Sequence, residues 1–280
     1  MVRLSTIIFS LFIFLVSFQA QAKNPPPGTG TSDIPANILI MLDNSGSMSA
    51  KLYSSVQVYN PLDVATDSSG NVYAMEYYNN RIKVFDSSGA YLRSFGSHGR
   101  GCNQWQYARQ FTIYNDRIYI ADTYGHKIKA LSLTGQCLWQ AGSYNTYPTA
   151  LAVNNDNIYI GFPNSALGVM KYYSNRASVV KLAYYQNINY AWGMSFNNAG
   201  NKLAIASYNG NRVVEYSVND LIITYSQQSN SSYSSSNGFF QRPTDTGYDS
   251  SGNIYVTDLL GHRVQKFNSS LSYQGKVGSY

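Results

Sequence analysis

The sequence predicts an all-β protein in which four-stranded sheets repeat around an axis as the blades of a β-propeller. Similar segments recur at intervals of 40 to 50 residues from Tyr59 onward. Each segment alternates short apolar runs with turns rich in Gly and Asn, which is typical of strands joined in series. Tyrosine accounts for 26 of the 280 residues, whereas charged residues make up only 12%. Such a composition favours strands and turns over helices.

Each repeat contains four predicted strands. In the first unit, a strand after Pro61 leads through the turn at Asp67 to an apolar strand at Val72, and a third strand begins at Arg81. A Gly turn then leads into the fourth strand. Because one such sheet cannot cover its own apolar faces, the blades are expected to stack on each other. The units open with the aromatic residues Tyr59, Tyr107, Tyr147, Tyr190 and Phe240.

The number of blades has three possible interpretations. Five units are recognisable over residues 59–280. The ring has five blades, or it gains a strand pair from residues 36–58, or the chain is a truncated piece of a six-bladed ring.

The first residues are typical of an export signal. Arg3 precedes an apolar stretch from Leu4 to Phe18, and Ala20-Gln21-Ala22 follows as a small-x-small cleavage site. We expect a signal peptide over residues 1–22 and a Pro- and Gly-rich linker over residues 23–35. No second apolar run of membrane length follows, so we expect an exported protein of the periplasm, cell surface or medium, without a membrane span.

The repeats share a signature at the turn into the third strand. It reads Asn80-Arg81-Ile82 in the first unit, Gly125-His126-Lys127-Ile128 in the second, Asn211-Arg212-Val213 in the fourth and Gly261-His262-Arg263-Val264 in the fifth. These residues resemble the NHL repeat, which is named after Asn-His-Leu at this turn. The resemblance covers about residues 59–280 and implies an NHL-like β-propeller.

Residues 36–58 carry a different pattern. An apolar strand delivers Asp43, and the hydroxyls of Ser45 and Ser47 follow on a Gly turn, which looks like the start of a von Willebrand factor A domain. The resemblance implies a Mg²⁺ site, since Mg²⁺ prefers oxygen ligands. That family also uses a Thr and an Asp from later loops, so the site is incomplete here and needs an A-like domain completed elsewhere. The alternative is a degenerate half-blade, because residues 37–43 also resemble residues 253–258.

The order of these segments suggests a biological setting. An export signal, a Pro-rich linker and this strand and loop resemble the N-terminal region of PilC/PilY-type pilus-tip adhesins. The resemblance covers only about residues 23–50, because the propeller of that family is built differently. It implies a bacterial surface protein concerned with adhesion or type IV pili.

Few residues suggest catalysis. His126 and His262 lie at the signature turn, where a structural role is the simpler interpretation, and the recurrent acids Glu76, Asp122 and Asp258 are expected to cap turns by accepting backbone N–H bonds. No phosphate-binding Gly loop or zinc-protease motif is present.

The loops before the first strands offer a candidate binding surface. Trp105, Arg109, Trp192 and Arg242 are expected to gather on one propeller face, around the central opening. Trp and Arg are common anchors of binding surfaces. The five aromatic residues that open the units are instead expected to wedge between blades.

Two cysteines leave one question open. Export permits a disulfide between Cys102 and Cys137. A fourth strand of about five residues would, however, hold them roughly 15 Å apart at opposite ends of a blade, beyond the ~7 Å that a bridge allows.

The favoured hypothesis is an exported, non-enzymatic propeller that binds a protein or glycan ligand on one face, as part of a surface adhesin or pilus-associated protein. One alternative is a propeller lyase or hydrolase with a metal near the central axis, held by His126 or His262. Another is a structural spacer inserted in a von Willebrand A domain. The net charge of +6 is spread along the chain, which argues against a nucleic-acid partner.

Overall fold

The structure is a computed structural model that describes residues 56–142, 147–155, 157–163, 169–173, 179–181, 187–219 and 222–278. The predicted signal peptide, the linker and the loop of Asp43, Ser45 and Ser47 lie outside the described residues and stay predictions. In the described ranges every regular element is a strand. No helix there could cross a membrane.

Five antiparallel sheets of four strands follow each other along the described chain, so the predicted all-β propeller fold is confirmed. Blade 1 contains β1 (Pro61–Thr66), β2 (Val72–Glu76), β3 (Arg81–Phe85) and β4 (Tyr91–Phe95). Blade 2 contains β5 (Gln110–Tyr114), β6 (Arg117–Asp122), β7 (Lys127–Ser132) and β8 (Cys137–Ala141). Blade 3 contains β9 (Ala150–Asn154), β10 (Asn157–Gly161), β11 (Val169–Tyr173) and β12 (Val179–Lys181). Blade 4 contains β13 (Ala191–Phe196), β14 (Lys202–Ser207), β15 (Arg212–Asn219) and β16 (Ile222–Gln228). Blade 5 contains β17 (Pro243–Tyr248), β18 (Ile254–Asp258), β19 (Arg263–Phe267) and β20 (Tyr273–Val277).

The first strand of each blade is the innermost one. Strands β1, β5, β9, β13 and β17 lie side by side in this order. Within each sheet the strands follow the chain order, so the fourth strand lies at the outer edge. The strands β4 and β20 are accordingly exposed over much of their length.

Apolar side chains fill the space between neighbouring blades. Tyr73 and Met75 of β2 pack against Phe111 of β5 and Ile120 of β6. Equivalent clusters join blades 2 and 3, blades 3 and 4, and blades 4 and 5. Full burial stabilises the fold by about 1.5–3 kcal/mol for each large apolar side chain. The core of this protein is therefore a series of interfaces between blades.

Hydrogen bonds link successive first strands close to the axis. Asp63 of β1 accepts bonds from the backbone N–H groups of Val64 and Phe111, both at 2.8 Å. Gln110 of β5 accepts one from the N–H of Leu151 at 2.7 Å. The bond from Phe111 to Asp63 fixes the position of β5 against β1, and the bond from Leu151 to Gln110 fixes the position of β9 against β5.

The recurrent acids at the ends of the second strands act as the predicted caps. Glu76, Asp122 and Asp258 each accept a bond from a backbone N–H in the loop that opens the same blade, at 2.8, 2.7 and 2.6 Å. Each also lies against a cation of the third strand. These pairs are Lys83–Glu76 at 3.0 Å, Lys129–Asp122 at 2.9 Å and Arg263–Asp258 at 2.9 Å.

Cys102 and Cys137 form a disulfide with their Cα atoms 5.5 Å apart, which corrects the separation expected from strand length. The reason is the twist of the blades, about 20–25° from one strand to the next. It tilts β4 of blade 1 across the outer part of blade 2, where Arg93 donates a bond to the carbonyl oxygen of Leu133 at 2.9 Å. The loop after β4 therefore begins close to the turn that precedes Cys137.

The same loop is held from inside by Lys129 of β7. Its ammonium group is fully buried and contacts the carboxylate of Asp122. It also donates bonds to the carbonyl oxygens of Gly101, at 2.8 Å, and Gln104. Burial raises the pKa of the Asp122 carboxyl, and the charge of Lys129 opposes that rise. One cation thus joins the second strand, the third strand and the disulfide loop.

Replacing Lys129 should destabilise the folded state, because the buried carboxylate of Asp122 would then lack a cationic partner. We expect Lys129→Met to lower the free energy of unfolding by about 3–5 kcal/mol at pH 7, because Asp122 loses its partner. Without the ammonium, the raised pKa of Asp122 rises further, so the folded state takes up a proton more readily than the unfolded state. The penalty is then present at neutral pH and shrinks as pH falls. Urea unfolding at pH 7 and pH 5 measures the loss of unfolding free energy in Lys129→Met relative to the wild type. Lys276→Met, on the exposed edge strand, is the control. An equal penalty at both pH values would contradict the explanation.

The disulfide should contribute substantially to stability. It closes a loop of 35 residues, for which chain entropy predicts about 4 kcal/mol. We expect the Cys102→Ser/Cys137→Ser double variant to unfold at a lower urea concentration by roughly this free energy, with an unchanged fold by circular dichroism. If the oxidised wild type and the double variant unfold at the same urea concentration, the bridge adds no stability.

Candidate ligand-binding site

One end of the propeller collects the loops that carry the candidate residues. We call it the upper face, the end at which the first strand of each blade begins and the second strand ends. The β2–β3 turns and the opening loops meet there through backbone bonds such as Tyr77 N–H to Asn60 O, at 3.1 Å, and Tyr208 N–H to Tyr190 O, at 2.9 Å. These backbone hydrogen bonds therefore position the side chains of the neighbouring residues on the upper face.

A β-bulge at the start of the first strand positions one residue in each of blades 1, 4 and 5. The register shifts between Pro61 and Asp63, between Ala191 and Gly193, and between Pro243 and Asp245. The extra residues are Leu62, Trp192 and Thr244. Arg109, directly before β5, occupies the same repeat position. A bulge redirects a side chain, and these four residues all line the opening at the axis.

Left-handed backbone at the opening loops places a second set of side chains. Tyr107, Tyr190 and Arg242 have φ values of 52°, 64° and 69°, a conformation that bulky residues rarely adopt without compensation. The turn Asn of the preceding blade supplies compensation in two blades. Asn80 accepts a bond from the N–H of Tyr107 at 2.6 Å, and Asn211 accepts one from the N–H of Arg242 at 3.2 Å. The NHL-like turn thus joins one blade to the next.

Two arginines and two aromatic rings form what we call the arginine–aromatic stack. The guanidinium of Arg109 lies 4.1 Å from the ring centre of Trp192. Trp192 stacks on Tyr208 with ring centres 4.1 Å apart and planes inclined by 27°. The guanidinium of Arg242 lies 4.8 Å from the ring centre of Tyr208 and donates a bond to Asn209. Blades 2, 4 and 5 contribute to one layered unit, stabilised by cation–π attraction.

Beside this stack the axis opens into a cavity of about 380 Å³, which we call the central cavity. Its volume is within the usual range for small-ligand sites. The lining mixes aromatic and charged groups in a small space. It includes Tyr77, Tyr78, Arg109, Trp192, Asp63 and Asp245.

Tyrosine rings continue from the central cavity across the upper face. Tyr77 and Tyr78 meet Tyr107, which meets Tyr124, and Tyr124 meets Tyr147, with successive ring centres 5.0 to 6.4 Å apart. Tyr78 is 65% exposed, whereas Tyr107 is half-buried. The prediction that opening aromatics wedge between blades therefore holds fully only for Phe240, which is buried in the interface with blade 4.

The predicted binding residues do not all share this surface. Arg109, Trp192 and Arg242 come together in the arginine–aromatic stack. Trp105 does not, because its side chain is 0% exposed and packs in the core between blades 1 and 2, against Gly96. A Cβ on Gly96 would lie 2.1 Å from the Trp105 ring, so this glycine leaves the space that the indole fills.

The sequence-based choice of residues missed two positions of the repeat. Tyr77 and Tyr208 both follow the last residue of a second strand, and Asp63 and Asp245 both follow a bulge. Aligning the repeats would have identified both pairs as equivalent. Only the three-dimensional arrangement shows that Tyr77, Asp63 and Asp245 line one opening and that Tyr208 stacks on Trp192 beside it.

The two histidines of the signature turn have a backbone role. His126 and His262 have φ values of 57° and 47°, matching 52° for Asn80 and 49° for Asn211. The ring of His126 lies 4.4 Å from that of Tyr147. Within the described part of the chain, no group of three His, Cys, Asp or Glu side chains is arranged to hold a metal ion.

Comparisons with known proteins agree with the fold. A family model described as a 6-bladed beta-propeller matches residues 60–165, and an NHL repeat matches residues 240–267. The predicted resemblance to NHL repeats is thus confirmed in blade 5, whereas the described residues form five blades. None of the curated proteins compared with this chain is a match.

Two solved structures illustrate the similarity. One is a virginiamycin B lyase from Staphylococcus aureus, with 13% identity, 77% of this chain and 68% of that chain covered, and a TM-score of 0.57. The other is a streptogramin B lyase, with 12% identity, 80% and 70% covered, and a TM-score of 0.60. At such low identity the similarity shows the fold alone.

Proposed function

We propose that this chain is an exported binding module that holds a protein or glycan ligand on its upper face, as part of a bacterial surface adhesin or pilus-associated protein. The observation that carries the proposal is the central cavity with the Arg109 guanidinium lying on Trp192 at its edge. Cavities lined by aromatic rings with a few well-placed polar groups are typical ligand sites.

The binding role is favoured over catalysis by the chemistry of the cavity lining. Asp63 and Asp245 already accept backbone N–H bonds at 2.8 Å. Arg109 lines the cavity together with the rings of Tyr77, Tyr78 and Trp192, and Arg and aromatic residues are the usual anchors of recognition sites. The export signal and the resemblance to pilus-tip adhesins support the surface location. The Mg²⁺ site at Asp43, Ser45 and Ser47 belongs to the same proposal and requires an A-like domain completed elsewhere.

The proposal predicts where binding energy is concentrated. The purified chain is applied to immobilised glycans and to cell-surface and matrix proteins. We expect binding that falls at least ten-fold in Trp192→Ala and in Arg109→Ala, because loss of a central anchor commonly costs about 2 kcal/mol or more. Surface plasmon resonance on each captured ligand measures the change.

Two control variants distinguish loss of the binding site from the general effect of removing a surface arginine or an aromatic ring. Arg117→Ala removes an exposed arginine at the opposite end of blade 2, and Tyr225→Ala removes an exposed ring on the outer edge of blade 4. Both should bind like the wild type. Binding that survives in Trp192→Ala and Arg109→Ala alike would show that the upper face is not the site.

The second candidate is a propeller lyase, favoured because both solved structures described above are lyases. It predicts consumption of virginiamycin B in the presence of added divalent metal, followed by mass spectrometry. It also predicts loss of that activity, by at least ten-fold, in the His126→Ala/His262→Ala double variant. Unchanged compound after prolonged incubation with the wild-type chain would remove this candidate for this substrate.

A further inference from the structure

The central cavity is lined by a cation that forms no ion pair with a described carboxylate. The Nε of Arg109 is buried and has no hydrogen-bond partner. Within the described ranges, no carboxylate lies within ion-pair distance of its guanidinium. Lys83, Lys129 and Arg263, which are buried as whole residues, each lie within 3.0 Å of a carboxylate. Arg109 is only partly buried and lines the cavity, so its guanidinium is available to an anionic group from outside.

The surroundings keep this guanidinium in a fixed orientation. Trp192 covers one of its flat faces at 4.1 Å, and Tyr208 supports Trp192 from behind. The charge of Arg109 also reaches the hydroxyls of Tyr77 and Tyr190, where it opposes the rise in pKa that burial causes. A guanidinium fixed flat on an indole presents its N–H edge in one plane, which suits the two oxygens of a carboxylate.

Acidic groups in the same cavity limit how much negative charge a ligand can carry. Asp63 and Asp245 line the cavity with Arg109. Their carboxylates accept backbone bonds from Val64, Phe111 and Thr246, and a carboxylate oxygen can accept more than one bond. A polyanion would be repelled here, whereas a ligand with one anionic group and several hydroxyl groups would bind Arg109 and donate further hydrogen bonds to the aspartates.

The tyrosine rings supply the third feature that such a ligand needs. Tyr78, Tyr124 and Tyr147 are 65%, 47% and 41% exposed and follow each other away from the cavity. Aromatic rings with a polar tip offer an apolar surface and a hydrogen-bonding group together. The C–H faces of sugar rings pack on such surfaces, while their hydroxyls bind the polar tips.

We propose that the ligand of the central cavity is an acidic oligosaccharide, of which one uronic-acid residue binds Arg109 through its carboxylate while neighbouring sugars pack on the exposed tyrosines. This inference rests on the proposed function and names the ligand class of the same site. An acidic peptide also carries carboxylates, but it lacks the hydroxyl groups that the aspartates and tyrosines would bind.

The test compares three probes on the purified full chain by isothermal titration calorimetry. The probes are a tetrasaccharide of three neutral sugars and one uronic acid, its methyl ester, which has the same rings without charge, and an end-blocked tetrapeptide of three glycines and one glutamate. We expect the acidic tetrasaccharide to bind at least ten-fold more tightly than the ester or the peptide. In Arg109→Gln, affinity for the acidic tetrasaccharide should fall at least ten-fold, and the preference for acid over ester should disappear. Arg117→Gln should match the wild type.

Each contrary result has a distinct meaning. Equal binding of acid and ester by the wild type would overturn the role of the carboxylate, and this comparison stands even if Arg109→Gln does not fold. Tighter binding of the glutamate peptide would replace the saccharide by an acidic peptide. If no probe binds, while Trp192→Ala still abolishes capture of another ligand, the acidic saccharide is wrong and the proposed function stands. If that capture also survives in Trp192→Ala and Arg109→Ala, the proposed function itself fails.

Discussion

The structure depends on one constraint: a four-stranded sheet of this chain has two faces and cannot cover either by itself. Tyr73 and Met75 in blade 1 are fully buried because blade 2 lies against them. Neighbour-to-neighbour packing of this kind is typical of repeat proteins. It brings the first strands to the axis and collects the loops before them on one face. The candidate site is therefore a by-product of the way the blades bury their apolar surface.

Buried charges then give that face its rigidity. Glu76, Asp122 and Asp258 each tie an opening loop to the end of a second strand and hold a cation of the third strand. A buried pair of this type adds little net stability, but the loss of one partner is costly. In blade 4, Ser207 takes the place of the acid and accepts a bond from the N–H of Asn189 at 2.8 Å. Tyr77 and Tyr208, which directly follow Glu76 and Ser207, are therefore attached to strand ends that the opening loops hold.

The chemistry of the candidate site depends on Arg109, a cation that does not pair with a carboxylate in the described residues. The buried cations Lys83, Lys129 and Arg263 each face a carboxylate, whereas the partly exposed Arg109 faces an indole. Cation–π attraction holds a guanidinium without neutralising it, so its charge stays available to a ligand. The aspartates beside the axis are engaged by backbone N–H groups instead. Arg263 and Asp258, which also line the cavity, form an ion pair at 2.9 Å, whereas Arg109 is held by Trp192.

The blade architecture could be predicted from the amino-acid sequence, because repeated strands and turns are local patterns. The capping role of the recurrent acids could be predicted for the same reason. The sequence also singled out Arg109, Trp192 and Arg242, since Trp and Arg in loops are conspicuous. It was wrong about Trp105, whose burial beside Gly96 depends on contacts between blades that no local pattern records. It misjudged Cys102 and Cys137, because strand length was considered without the twist that brings β4 across the next blade. The side chains that meet beside the axis follow from the tertiary structure alone, because Arg109 belongs to blade 2 and Trp192 and Tyr208 belong to blade 4, and ring geometry sets the relative positions of these blades.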